Sequence, residues 1–357
     1  MDKEASSAAT VIKSLQSISR GSSVDWAQLD VFVREKASLP YKNWRDTIAW
    51  SAELEGVIGD PEREDFRFTF DRVLTGGNWW GAAEHVAKVG GRRPWIVLVS
   101  GLNGIRKTTA LYQPWFQEVL REALGDQIQS EGCDTEDLPV GGNSFFRQLD
   151  FMVATVASEE FRELYAQDVS VGEYSARKDG IFKRHRTVAE ILGVLLLRAA
   201  AKGRMNMLIE TSGRDVASFD FIDELFASEP LYRKLVVHFT IDELGHAERS
   251  VDLRMEAERR AGREIAASAE QLGDALSRAR AVVNVNAGGP YGSEVLKAVK
   301  ADSDAVLASV LGESGGGRQG WLKASVHIHG AADPSAWTAR AVLRDGSQSP
   351  NIFTFRR

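Results

Sequence analysis

Residues 95–109 decide the fold of this 357-residue chain: Trp95-Ile-Val-Leu-Val-Ser-Gly-Leu-Asn-Gly-Ile-Arg-Lys-Thr-Thr109. The run Trp95–Ser100 is almost entirely apolar, which is typical of a strand buried on both faces of a sheet. A polar, glycine-containing segment follows, and then a helical pattern from about Thr109 to Leu124. The stretch therefore predicts a buried strand, a short loop and a helix in immediate succession.

The loop has the spacing of a phosphate-binding motif, G-x-x-x-x-G-K-[ST], with Gly101 first, Lys107 as the lysine and Thr108 as the hydroxyl. Backbone amides in such a loop cradle phosphate oxygens, the lysine holds the β- and γ-phosphates, and the hydroxyl binds Mg²⁺. We therefore expect ATP and Mg²⁺ as cofactors, with Thr108 as the metal ligand. The expected nucleotide-binding residues are Gly101, Asn103, Gly104, Arg106, Lys107, Thr108 and Thr109.

Arg106 departs from the motif, which has glycine before the lysine. Glycine there permits a positive φ or a close approach of backbone to phosphate. An arginine fits if the local φ is negative, and it then adds a cation to the phosphate site. Alternatively, Arg106 marks a degenerate loop, or the segment is an ordinary strand-to-helix turn.

Further buried strands are predicted at Phe145–Leu149, Met205–Ile209, Leu235–Ile241 and Ala281–Val285. Helical patterns separate them, including Thr187–Ala201, which a capping box of Thr187 and Glu190 would open. Strands that alternate with helices predict an α/β fold with a parallel sheet sandwiched by helices, of the kind found in P-loop nucleotide-binding proteins.

The flanks of this core differ in pattern. Residues 1–90 read as an N-terminal helical extension, and residues 91–311 as the α/β core. A glycine-rich joint, Gly312–Gly320, precedes two period-two patterns at Leu322–Ile328 and Thr338–Arg344. These predict a small β-rich appendage over residues 312–357.

Composition restricts the class of function. The net charge of -6 makes nucleic-acid binding unlikely as a general property. The one cysteine, Cys133, can form neither an internal disulfide nor a zinc cluster. No apolar run has the length of a membrane span, since Ile191–Leu197 is too short. A cytoplasmic protein without membrane contact is expected.

Later segments resemble the zeta-toxin family of small-molecule kinases. Met207–Arg214 (MLIETSGR) is similar to the family segment in which a strand runs into Glu-Gly-Thr-Gly-Arg, and Glu173–Arg177 (EYSAR) resembles its Tyr-Ser-x-Arg. Asp150, followed by Phe161–Tyr165 (FRELY), resembles the end of the family's second strand and the next helix, although the family's His-Pro pair is missing. The resemblance covers roughly residues 94–286.

This resemblance implies an ATP-dependent kinase that transfers the γ-phosphate to a hydroxyl of a small molecule, such as a UDP-amino sugar. It implies that Lys107 and the base Asp150 are catalytic and that Glu210 binds a substrate hydroxyl or Mg²⁺ through water. Among the candidate lid arginines Arg249, Arg254 and Arg263, it favours the first and last. The other implied substrate contacts are Ser212, Arg214, Tyr174 and Arg177.

Two other functions remain open. A degenerate loop would leave a non-catalytic nucleotide-binding or protein-interaction module, with the N-terminal helices available for a partner or for self-association. An ATPase acting on macromolecules ranks last, because only Met205–Glu210 approaches the strand with a terminal acid that it requires. His327 and His329 share one face of a predicted strand, but without a visible third ligand they read as structural residues.

Overall fold

The computed structural model describes most of the chain in two compact units, each drawn from three separated segments. One unit comprises 1–77, 147–202 and 253–290, and the other 78–146, 203–252 and 291–357. They do not follow the three consecutive segments that the sequence predicts. The described residues are 2–20, 24–41, 43–90, 92–130, 132–133, 135–213, 216–227, 231–268, 273–286, 288–289, 292–293, 296–311 and 320–356.

A seven-stranded sheet has the order β2-β3-β1-β4-β5-β6-β7. Strand β1 is parallel to β3 and β4, and β4 is parallel to β5, whereas β6 and β7 are added antiparallel at the edge. The α/β class is thereby confirmed. The strands are β1 Trp95–Gly101, β2 Ser144–Arg147, β3 Asn206–Thr211, β4 Arg233–Ile241, β5 Trp321–His329, β6 Thr338–Val342 and β7 Phe353–Thr354.

The helices within the described residues occupy both the segments between strands and the N-terminal region. They are α1 Asp2–Ile18, α2 Trp26–Lys36, α3 Trp44–Ile58, α4 Glu64–Thr69, α5 Asp71–Gly76, α6 Trp79–Val89, α7 Lys107–Leu111, α8 Phe116–Leu124, α9 Gln127–Ser130, α10 Leu149–Val156, α11 Ser158–Tyr165, α12 Val171–Lys202, α13 Ala217–Leu225, α14 Leu244–Ala267, α15 Ala275–Val285 and α16 Leu296–Leu311.

Helices cover both faces of the sheet. On one face Phe116 of α8 stacks on Phe239 of β4, with ring centroids 6.1 Å apart. On the other face Phe219 of α13 meets Trp321 of β5 edge to face at 5.1 Å. Because both faces are covered, all seven residues of β1 are buried, as its continuous apolar run predicts.

The C-terminal strands belong to the central sheet, whereas the sequence predicts a separate β-rich appendage for them. Strand β5 pairs with β4 along most of its length, from Lys234 beside Trp321 to Ile241 beside Ile328. Polar and apolar residues alternate along β5 because Val326 and Ile328 pack in the core on one face of the sheet, while the intervening residues face the other side. The segment is therefore part of the central sheet. Residues 312–319 of the predicted joint lie outside the described residues.

Two local predictions from the sequence are wrong. Ala281–Val285 ends helix α15 instead of forming a strand, because Asp274 caps that helix by accepting a hydrogen bond from the Ser277 amide at 2.7 Å. Thr187 lies in the middle of α12 instead of opening it, and its hydroxyl donates to the Leu39 carbonyl at 2.8 Å. Among the described residues, no helix combines the length and apolarity needed to cross a bilayer.

Candidate functional site

Two glycines shape the loop between β1 and α7. Gly101 has φ 133°, and a Cβ there would lie 2.4 Å from the Phe239 carbonyl oxygen. Gly104 has φ 83°, and a Cβ there would lie 2.6 Å from the Ala247 carbonyl oxygen. Any other residue would meet backbone at both positions, so the loop conformation depends on glycine. Asn103 lies between them and is half-buried.

Arg106 adopts a left-handed conformation, with φ 62° and ψ 27°, immediately before α7. This positive φ differs from the negative φ expected for an arginine that fits the loop. Arg106 instead has the backbone conformation for which the motif uses glycine, and it bears a strain of about 1–2 kcal/mol. Its guanidinium lies over the Phe355 ring, 4.4 Å from the centroid. Partial burial lowers the pKa of Arg106 from its ordinary value.

Lys107 is buried at the end of the loop, with its ammonium turned onto loop carbonyls. Its Nζ donates to the carbonyl oxygens of Gly101 and Leu102, both at 2.8 Å, and lies 3.1 Å from Glu210 Oε1. The side chain is 2% exposed. A buried ammonium with three oxygen partners is held in one position, so it provides a fixed positive charge beneath the loop.

Glu210 joins this cluster from the neighbouring strand. In the parallel register Val99 of β1 lies beside Glu210 of β3, so the carboxylate projects at the carboxyl edge of the sheet next to the loop. Its second oxygen accepts from Thr108 Oγ1 at 3.4 Å. A hydroxyl and a carboxylate side by side are oxygen donors of the kind that Mg²⁺ prefers. Thr108 and Glu210 therefore fit a magnesium ion. Thr109 follows Thr108 in α7.

A buried histidine stands behind the cluster. His238 Nδ1 lies 3.2 Å from the Ser100 hydroxyl, on the adjacent strand. Burial lowers the pKa of His238 to about 4; the negative charge of Asp304 opposes this shift, and the positive charges of Lys107 and Lys300 add to it. The imidazole is therefore neutral at pH 7 and adds no charge to the lysine site.

The segment after β3 is described as far as Gly213. The Gly213 amide donates to Thr211 Oγ1 at 3.1 Å, and the turn that results places the half-buried Ser212 next to the strand end. Arg214, one of the expected substrate contacts, lies outside the described residues.

The arginines of α14 have different surroundings. Ala247 and Val251 of this helix are nearest to a Cβ built on Gly104, whereas Arg249, two positions from Ala247, lies on another face of the helix and is exposed. Arg263, in the other compact unit, forms an ion pair with Asp168 of the same unit.

Asp150 and Arg254 lie together in the mainly helical unit. Asp150 is in the first turn of α10 instead of at a strand end. A Cβ built on Gly288 would lie 3.0 Å from Arg254 Nη1 and 3.3 Å from Asp150 Oδ2, so both groups border the same glycine.

Two expected substrate-binding residues on α12, Tyr174 and Arg177, contact other residues of the same compact unit. Tyr174 is fully buried and donates to Glu258 Oε1 at 2.7 Å. A substrate would reach this hydroxyl only after a rearrangement. Arg177 is exposed and pairs with Glu173 one turn earlier on the helix.

These features define an α/β protein with a glycine-dependent loop, a buried lysine and a carboxylate at the carboxyl edge of a parallel sheet. No protein family in the comparison matches the sequence, and no curated protein matches it. A solved structure from the characterization of the PezAT chromosomal toxin–antitoxin system of Streptococcus pneumoniae aligns with a TM-score of 0.37 and 13% identity, over 80% of this chain and 81% of that chain. The likeness is distant, and the assignments below depend on this chain's own residues.

Proposed function

We propose that the chain is a Mg·ATP-dependent kinase that phosphorylates a hydroxyl of a small molecule. The observation that carries the proposal is the meeting of Lys107, Thr108 and Glu210 beneath a loop that Gly101 and Gly104 shape. A fixed cation, a hydroxyl and a carboxylate at the carboxyl ends of parallel strands are the groups that phosphoryl transfer requires for positioning and charge neutralisation.

In this proposal Lys107 exchanges its two carbonyl partners for phosphate oxygens, which keeps its buried charge paired. Thr108 and Glu210 would hold Mg²⁺, which would offset negative charge on the phosphates. Arg106 directs its charge over Phe355, so its backbone, instead of its guanidinium, is its contribution to the loop.

The assignment of Asp150 as general base remains a prediction, as do the substrate roles of Ser212 and Arg214. The zeta-toxin resemblance supports a nucleotide sugar as the acceptor class. The assignments of Arg249 and Arg263 to the transferred phosphate also remain predictions.

A second candidate is a non-catalytic module, and one observation favours it. Lys107 is buried and its charge is already paired with three oxygens of the chain itself, and Arg106 stands where the motif has glycine. This candidate predicts either no nucleotide binding or binding without turnover.

Calorimetry with Mg·ATP tests both candidates on wild type, Lys107→Ala and the matched control Lys88→Ala. Lys88 is an exposed lysine of the same compact unit, paired with Glu84. We expect wild type and the control to bind with micromolar affinity, about -8 kcal/mol, and the loop variant to bind at least tenfold more weakly. Absence of binding to wild type at millimolar ATP would refute the kinase proposal.

Turnover separates the two candidates once binding is found. ADP release is measured with a panel of nucleotide sugars and other hydroxyl acceptors, on wild type and Asp150→Asn. The kinase proposal expects acceptor-dependent ADP release that the Asp150 variant loses while it retains ATP binding. Binding without release for any acceptor favours the non-catalytic module.

A further inference from the structure

A second group of metal-ligand residues lies two strands from the loop, at the same edge of the sheet. Asp242 follows the end of β4, and His327 and His329 end the parallel neighbour β5. One ligand atom from each residue lies within 4.8 Å of those of the other two. Asp242 is the third ligand that the sequence pattern of the two histidines does not reveal.

Each histidine has one ring nitrogen already held by a neighbouring oxygen. His327 Nδ1 lies 2.8 Å from Thr240 Oγ1, which leaves Nε2 for a metal. His329 Nε2 lies 3.1 Å from Gln348 Oε1, which leaves Nδ1. Metal-bound histidines characteristically use the second ring nitrogen in such a hydrogen bond, because it fixes the tautomer and the ring orientation.

The carboxylate is oriented in the same way. Asp242 Oδ1 accepts from the backbone amides of Glu243 at 2.8 Å and Gly330 at 3.1 Å. Its other oxygen, Oδ2, lies 3.4 Å from His329 Nδ1. Zinc bonds of about 2.0–2.1 Å in a tetrahedron separate two ligand atoms by roughly 3.3 Å, which this pair already approaches.

We propose that Asp242, His327 and His329 bind a divalent transition-metal ion of the Zn²⁺ class. Two imidazole nitrogens and one carboxylate oxygen suit such an ion, whereas Mg²⁺ prefers oxygen donors alone, so the site differs from that of Thr108 and Glu210. Three protein ligands leave a fourth position for water.

The alternative is a plain ion pair between Asp242 and a protonated His329. That pair accounts for the 3.4 Å contact between Asp242 Oδ2 and His329 Nδ1, but it does not explain the position of His327. The His327 ring lies 4.6 Å from the His329 ring, centroid to centroid, and its Nδ1 is held by Thr240. The ion pair predicts no metal binding.

Zinc titration of the chelator-treated, tag-free full chain tests the proposal. We expect one Zn²⁺ per chain by calorimetry and a tetrahedral absorption spectrum when Co²⁺ is used instead. His327→Ala and His329→Ala should each weaken Zn²⁺ binding at least 100-fold, a loss exceeding the roughly 10–100-fold typical of outer-shell changes, and Gln348→Ala about tenfold. His246→Ala is the control, because its Nε2 lies 3.4 Å from Glu243 on the same surface but outside the group of three.

Two results would overturn the proposal. One is wild-type Zn²⁺ affinity no higher than that of a His327→Ala, His329→Ala double variant. The other is equal weakening by His246→Ala, which would indicate scattered binding to surface histidines. Circular dichroism confirms that each variant is folded, and Gln348→Ala, whose change lies outside the ligand atoms, reports on the site if a histidine variant does not fold.

Discussion

The buried pair Lys178–Glu258 gives the sharpest test of how the helical unit is stabilised. Both side chains are completely buried, and Lys178 Nζ lies 2.9 and 2.7 Å from the two carboxylate oxygens. The hydroxyl of Tyr174 donates to the same carboxylate at 2.7 Å. Burial lowers the pKa of Lys178, and Glu258 is the main group that opposes this shift and favours the charged ammonium.

Glu258→Gln keeps the shape and an acceptor for Tyr174 but removes the negative charge. The unpaired buried ammonium should then cost about 3–5 kcal/mol of unfolding free energy. Lys178→Met should cost a similar amount, because it removes the buried cation that lies against both carboxylate oxygens of Glu258. The double variant Lys178→Met, Glu258→Gln should cost clearly less than the sum, since neither charge then remains buried.

The measurement is urea unfolding followed by circular dichroism, with Glu173→Gln as the matched control. Glu173 pairs with Arg177 on the same helix, but these side chains are 50% and 44% exposed, so its loss should cost no more than about 1 kcal/mol. A Glu258→Gln variant as stable as the Glu173→Gln variant would refute the reasoning, as would strictly additive effects in the cycle.

Three further results are expected. Arg106→Gly should be more stable than Arg106→Ala by about 0.5–1 kcal/mol in urea unfolding, because glycine avoids the left-handed strain at a smaller entropy cost; equal or reversed stability would contradict the φ of 62°. Phe355→Ala should cost about 3–5 kcal/mol by the same assay, through lost burial and its contact with Arg106, and no loss would show that the C-terminal contact is dispensable. Burial raises the pKa of Glu160, but His185 and Arg184 outweigh this effect and hold the pKa at about 2. The ionised carboxylate therefore stabilises the folded chain fully above pH 4.5, and this contribution is lost as the pH falls towards 2. Glu160→Gln should reduce the loss of unfolding free energy between pH 4.5 and 2, and an unchanged loss would contradict the argument.

The central strand and its loop were predictable because their signals are local. A strand buried on both faces must be apolar throughout, so Trp95–Ser100 identifies β1. The meeting of Lys107 with Glu210 follows from pairing of β1 with β3, which a lysine motif and a strand-end acid together suggest. The left-handed backbone of Arg106 was not predictable, because a side chain normally disfavours it.

Elements that depend on distant partners were harder to predict. The run Ala281–Val285 is too short to distinguish a buried strand from a helix end, and the deciding signal was the cap residue Asp274. Strand β5 has a polar face, so its alternation suggested a peripheral sheet. Asp242 and the histidines of β5 meet only because β4 and β5 are neighbours, which no local pattern shows.

The position of β5 in the sheet affects how the chain folds as it is synthesised. The edge of β4 that β5 pairs with stays open until α14, α15 and α16 have been translated and residues 321–329 have left the ribosome. Until then the nascent chain exposes unpaired amides and carbonyls beside an apolar core, which is a template for association with other chains. The pairing of β5 thus determines when this edge of β4 is protected from association, and slowed translation after β4 should lower the soluble yield of the protein.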